Sequence, residues 1–140
     1  MGRSGYSDDY DETFPNAEAL CRENIARALR GKRGQAFLRE LIEALDTMPQ
    51  KCLVEGMLQA RDGMMCAMGV VGQKRGIDMA IVDPNDAKQV GKILGIAPLM
   101  AREIAFINDN DFNWRGSETD EERWESVLIW ARSQVASSND

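Results

Sequence analysis

Asp109, Asp111, Asn113 and Asp120 fall at positions 1, 3, 5 and 12 of a twelve-residue span. That is the spacing at which an EF-hand loop offers oxygen ligands to calcium. The span departs from a working loop in two places. Trp114 stands at position 6, where the sharp turn needs glycine, and position 12 carries Asp in place of the longer, bidentate Glu. A polar loop leading into a helix cap accounts for the same residues. Calcium binding over 109–120 therefore ranks third among the functional readings, and no metal ligands are assigned.

Cys66 is the one candidate nucleophile by position. It precedes a predicted short helix, whose positive end would lower a thiol pKa. It also lies among methionines with no base beside it, so packing is the expected role. The chain contains no histidine. This removes Ser-His and Cys-His catalysis, imidazole acid–base chemistry and zinc sites with a histidine ligand. Gly69-x-x-Gly72-x-x-x-Gly76 lacks both the lysine and the preceding strand of a phosphate loop. No catalytic residue and no cofactor are assigned, and the chain is read as a non-enzyme.

Charge is the stronger signal. There are 17 Lys and Arg against 23 Asp and Glu, for a formal net charge of −6. A free nucleic-acid binder usually leans the other way. Seven carboxylates lie within the 17 residues from Asp109 to Glu125, against Arg115 and Arg123. Several fall in the first turn of a predicted helix, where the macrodipole favours them whatever their function. From this group Asp109, Asp111, Glu118, Asp120 and Glu121 are expected to contact a partner. The positive charge gathers at Arg27, Arg30, Lys32, Arg33 and Arg39, with a second pair at Lys74 and Arg75. Arg30, Lys32, Arg33, Lys74 and Arg75 form the secondary, basic candidate patch. No Trp or Tyr interleaves either cluster, which disfavours stacking on single strands.

These residues must be positioned by helices. Pro15 suits a first turn, and Ala17, Leu20, Cys21, Ile25, Ala28 and Leu29 recur at helical spacing up to Gly31. After Gly31-Lys32-Arg33-Gly34 a second helix presents Phe37, Leu38, Leu41, Ile42, Leu45 and Met48. Pro49 follows its end. The two are expected as an antiparallel pair with a short basic connection. Residues 52–67 read as a small hairpin, with strands near 52–58 and 64–67, and a helix is the competing assignment. A short helix is predicted over 68–75. Asp83 is the expected N-cap of the next, with Pro84 at its first position and Gly95 at its end. Pro98 opens another, and the last starts at Thr119 with Glu122 completing a capping box. Residues 87–104 have the layout of a helix-turn-helix. The exposed face of its second helix would offer Ala97, Pro98, Leu99, Arg102 and Glu103, too little to neutralise phosphates or read bases.

The whole is expected to be a mainly α, compact single-domain bundle, with room for one small β-hairpin over about 52–67. A 140-residue chain suits one domain. Residues 1–13 are expected as a flexible acidic tail, 14–136 as the globular domain and 137–140 as a disordered end. Three distant cysteines without a Cys-x-x-Cys suit a reducing cytoplasm. The polar N-terminus does not read as a signal peptide, and no apolar run approaches a membrane span.

The most apolar stretch is Gly63-Met64-Met65-Cys66-Ala67-Met68-Gly69-Val70-Val71-Gly72. With Asn108-Asp109 and Thr119…Glu122, this Cys-Ala-Met-Gly block resembles small accessory proteins of phages and prophages. Those carry a comparable block, then Asn-Asp, then a final helix opened by Thr-x-Glu-Glu. The resemblance implies a binding protein in the bacterial cytoplasm that acts on a host protein or ribonucleoprotein complex of defence or regulation. An inhibitor of the anti-CRISPR type is one example. The alternative is a helix-turn-helix-like DNA-binding regulator, with direct sequence-specific DNA binding the less expected outcome.

Overall fold

The computed structural model describes residues 17–60, 62–109 and 119–135. The expected tail at 1–13, the helix start at Pro15 and the end at 137–140 lie outside them. Helices α1 (Ala17–Arg30), α2 (Lys32–Asp46), α3 (Ala67–Lys74), α4 (Ala87–Leu94), α5 (Pro98–Asp109) and α6 (Asp120–Gln134) build the domain, with one 3-10 turn at Met79–Ile81. The chain is mainly α, and no strand occurs among the described residues. No described helix is long and apolar enough to cross a membrane.

The short helix α3 is the centre of the core. Ala67, Met68, Gly69, Val70, Val71 and Gly72 are all buried, so α3 is covered on every side up to its exposed last two residues. α2 and α5 pack on it, α6 lies against α2 and α5, and α1 lies against the same two. Leu38, Leu41, Leu45, Met79, Ile104 and Val127 complete the interior around it. The glycines of α3 permit this enclosure. A Cβ at Gly69 would sit 2.0 Å from the Leu58 carbonyl oxygen, which backbone cannot yield. Cys66 is fully buried. Its Sγ accepts the Gly69 N–H at 3.5 Å, a weak N-cap for α3.

The expected hairpin over 52–67 is not a sheet. A single antiparallel bridge pairs Gln59 with Met65, supported by Val54 N–H to Met65 O at 3.0 Å and Cys66 N–H to Leu58 O at 3.2 Å. Side chains meet much of the remaining backbone. Asn108, fully buried on α5, accepts from Ala67 N–H at 3.0 Å and donates to Val54 O at 2.9 Å. Asp109 accepts from Gly56 N–H at 3.0 Å. From α6, buried Arg123 donates to Leu53 O at 2.9 Å, while Leu53 N–H donates to Asp120 O at 3.0 Å. A second strand is unnecessary where these groups satisfy the chain.

Two helix starts also differ from expectation. Asp83 does not cap α4; its carboxylate accepts from Asn85 N–H in a local turn, and Asp86 is the N-cap, accepting from Gln89 N–H. The turn chemistry of Asp-Pro-Asn-Asp absorbs the first acid and delays the helix by three residues. Nor is Gly31–Gly34 a loop. Gly31 alone joins α1 to α2, with an extended backbone, and Lys32 to Gly34 already belong to α2. Thr119 behaves as expected: its hydroxyl accepts from Glu122 N–H and the Glu122 carboxylate accepts from Thr119 N–H.

If Asn108 satisfies buried backbone on two elements, Asn108→Ala should lower stability by about 2–3 kcal/mol, since both groups would stay dry and unpaired. Urea unfolding should show a lower midpoint at an unchanged slope. A loss below about 0.5 kcal/mol, the range of ordinary surface changes, would mean that solvent reaches these groups.

Candidate functional site

The acidic candidates separate when placed in the fold. Asp109 is buried, at 8% exposure. Its Oδ1 is occupied by Gly56 N–H and by the Asn108 side-chain amide, each at 3.0 Å. It holds the 52–66 segment and is not a surface charge. Asp120 opens α6 with its side chain half exposed, and its Oδ1 accepts from Arg123 Nη1 at 2.8 Å. Glu121 is exposed beside it. Glu122 is committed to the cap, and the Thr119 backbone N–H holds its carboxyl below the ordinary range. Asp111 and Glu118 lie outside the described residues. Both ends of the calcium-like span, Asp109 and Asp120, therefore have carboxylate oxygens engaged by protein donors. Among the described residues no group of three or more Cys, Asp or Glu is gathered as a cation site.

The basic candidates separate as well. Arg75 follows α3 and lies over the Phe37 ring at 5.8 Å. Its Nε and Nη2 grip the two Glu40 oxygens at 2.7 and 2.6 Å, and its Nη1 donates to Leu94 O at 2.9 Å. This fork ties α2, the end of α3 and the end of α4 together. It also explains the paired shifts: the hydrogen bond from Arg75 holds the Glu40 carboxyl below its ordinary range and raises the guanidinium. Lys74 donates to the Thr47 hydroxyl. Arg75 is thus a clamp at the surface, its donors already engaged by Glu40 and Leu94.

Arg30, Lys32 and Arg33 are different. All three are exposed at the corner between α1 and α2. Arg27 joins them, paired with Glu23 at 3.2 Å in an arrangement open to solvent, which leaves its field largely intact. Over residues 22–39 there are six cations and one carboxylate. The corner is tight because Gly34 sits on the last turn of α1, where a Cβ would fall 2.1 Å from the Ala28 carbonyl oxygen. The buried Gln35 amide then donates to Leu29 O at 2.7 Å and to Gln134 O at 3.0 Å, pinning the corner to the end of α6. A concavity of about 340 Å³ results, lined by Arg27, Lys32 and Arg33 over Ala28, Gly31, Gly34 and Ala97. The first turn of α2 carries no acid and its N-cap, Gly31, makes no side-chain bond, so the positive helix end adds to the cations.

Ala97 reaches this concavity from the turn between α4 and α5. Residues 87–104 do form two packed helices about that turn, and Arg102 is exposed on the second. The sequence reading missed the closeness of this turn to the basic corner, because it depends on α1 lying across α5. It also missed the buried roles of Asn108, Arg123 and Gln35, which look like ordinary polar surface positions. A second cleft, of about 270 Å³, is lined by Met48, Cys52, Met64 and Met65 among others. Burial, and then the charges of Glu121, Asp120 and Asp62, push the Cys52 thiol up from its ordinary value. It is therefore protonated at neutral pH and a poor nucleophile.

Comparison with known protein families, curated proteins and solved structures gives no match.

The clamp at Arg75 makes a pH-dependent contribution. Because the folded Glu40 carboxyl is depressed below 4.5, its stabilisation is present above that pH and lost as pH falls through the folded value. Glu40→Gln should therefore melt lower than wild type at pH 7, and the two should converge as pH falls below 4.5 and Glu40 protonates in the folded state. A gap that stays constant as pH falls through the acid range would show that the ionised pair is not what holds the three elements together.

Proposed function

We propose that the chain is a non-enzymatic binding protein of the phage and prophage accessory kind that its motifs resemble. It acts on a host defence or regulatory complex through a charged face, as an anti-CRISPR-type inhibitor would. One observation carries the choice of face. Arg30, Lys32 and Arg33 are exposed with no ion pair among the described residues, whereas Asp109 is buried in the fold, Arg75 is paired with Glu40 and Asp120 with Arg123. The basic corner is therefore the primary contact. Glu121, with Asp111, Glu118 and the outer part of Asp120, is secondary. Charges of this kind set encounter rate and partner choice more than fold stability.

Binding is preferred to catalysis because the two cysteines whose side chains are described are withdrawn. Cys66 is fully buried, and the Cys52 thiol is raised. The second reading, a helix-turn-helix-like regulator, is supported by the α4–α5 geometry, but its outward residues are Pro98 and Arg102, with Ala97, Leu99 and Glu103 half-buried. That set supplies one cation and no amide for adenine, so sequence-specific DNA binding by the chain alone is not expected.

Charge reversal separates the two faces. Lys32→Glu with Arg33→Glu should abolish capture of the partner complex from host lysate. It should leave melting unchanged or slightly raised, since an acid in the first turn of α2 suits the helix dipole. Asp111→Lys with Glu118→Lys should retain capture. Loss in the acidic variant alone would assign the contact to the start of α6, and retention in both would remove charge-led binding as the function.

A further inference from the structure

We infer that the α1–α2 corner binds the phosphodiester backbone of a nucleic acid without regard to sequence. The inference rests on the charged-face reading and names the chemistry that this face takes. Four cations, Arg27, Arg30, Lys32 and Arg33, fall within seven residues. Three of them line one concavity of about 340 Å³ whose lining contains no carboxylate. Guanidinium groups suit phosphate because their planar donors can meet two oxygens at once.

The rest of the lining favours phosphate over an acidic protein surface. Ala28, Gly31, Gly34 and Ala97 form a floor of small residues. They offer no aromatic or large aliphatic anchor of the sort that dominates protein–protein contacts. They do let a compact anionic group come close to the cations. The same floor supplies nothing that reads adenine or stacks on a base. It holds no Asn or Gln for a base edge and no ring for stacking. The cations then serve for contact with sugar and phosphate, which positions a nucleic acid but carries no sequence information. The uncapped first turn of α2 adds its field to charges that the side chains already supply.

The net charge of −6 sharpens the expectation. Most of the surface repels a polyanion, so attachment is confined to this corner, is weak and falls steeply with salt. Within a ribonucleoprotein partner, such a contact would grip exposed nucleic acid while protein surfaces supply the specificity.

The test uses the full chain and labelled 20-base-pair duplexes of scrambled sequence, as RNA and as DNA, followed by fluorescence anisotropy from 25 to 200 mM salt. Binding should be measurable at 50 mM salt, alike for each sequence, with log K falling about three units per decade of salt. Lys32→Ala and Arg33→Ala should each make that slope shallower by about one. Lys51→Ala, the same charge change near the other end of α2, should leave it unaltered. Absence of duplex binding at 50 mM salt, or slopes unchanged by the corner variants, would overturn the inference. If duplex binding fails while Lys32→Glu with Arg33→Glu still abolishes capture of the host complex, the inference falls and the charged-face reading survives. If duplex binding follows the corner residues while no complex is captured, the phosphate site stands and the host-complex reading falls.

Discussion

Among the described residues, the segment from Thr47 to Cys66 has no helix or strand and one isolated bridge to satisfy its backbone, yet it leads into the central helix α3. Buried N–H and C=O groups need partners wherever they lie. Here Asn108 and Asp109 at the end of α5 supply them from one side, and Arg123 on α6 from the other. The same asparagine receives the first N–H of α3. Three side chains thus fix where α3 enters the core, and the packing of α2, α5 and α6 around it follows. The Asn-Asp pair that looks like the start of an acidic surface is in fact the tie between two helices and an irregular loop.

That arrangement also decides which charges are available. A charge buried in a network is expensive to withdraw, so Asp109 and Arg123 belong to the fold. Arg75 belongs to it too, through its fork on Glu40 and its bond to Leu94 O. What the fold leaves outside is lopsided. The α1–α2 corner presents Arg30, Lys32 and Arg33 in the open, shaped by the close seat of Gly34 on α1. The start of α6 presents Glu121 and part of Asp120. Opposite charges at two separate places on an acidic chain give a molecule with a preferred orientation toward any charged partner.

Much of the helical layout was legible because caps and periodicity are local. Thr119 with Glu122, Gly95 at the end of α4, Pro98 at the start of α5 and the apolar block at 64–71 each report their own turn of chain. The failures share one physical origin: they depend on contacts across the fold. Cys52-Leu53-Val54, Gly56 and Arg61-Asp62-Gly63 read as strand and turn signals of a hairpin, but Asn108 and Arg123 take the place of a partner strand. Gly31-Lys32-Arg33-Gly34 has the composition of a loop, yet Gly34 is there for the close approach of two helices. Asp109 reads as a surface charge and Arg75 as an uncommitted one because nothing local announces Gly56 N–H or Glu40 as their partners. Of the candidate site, the identity of the basic residues was readable; their isolation from counter-charges and the wall contributed by Ala97 were not.

The central claim is that this chain acts by binding through the α1–α2 corner. Amide hydrogen exchange of the full chain, alone and in its captured complex, tests it most directly, since protection reports which backbone becomes covered or held. The account predicts new protection over residues 27–36, with little change over 119–125. Protection confined to 119–125, or none at the corner, would contradict it.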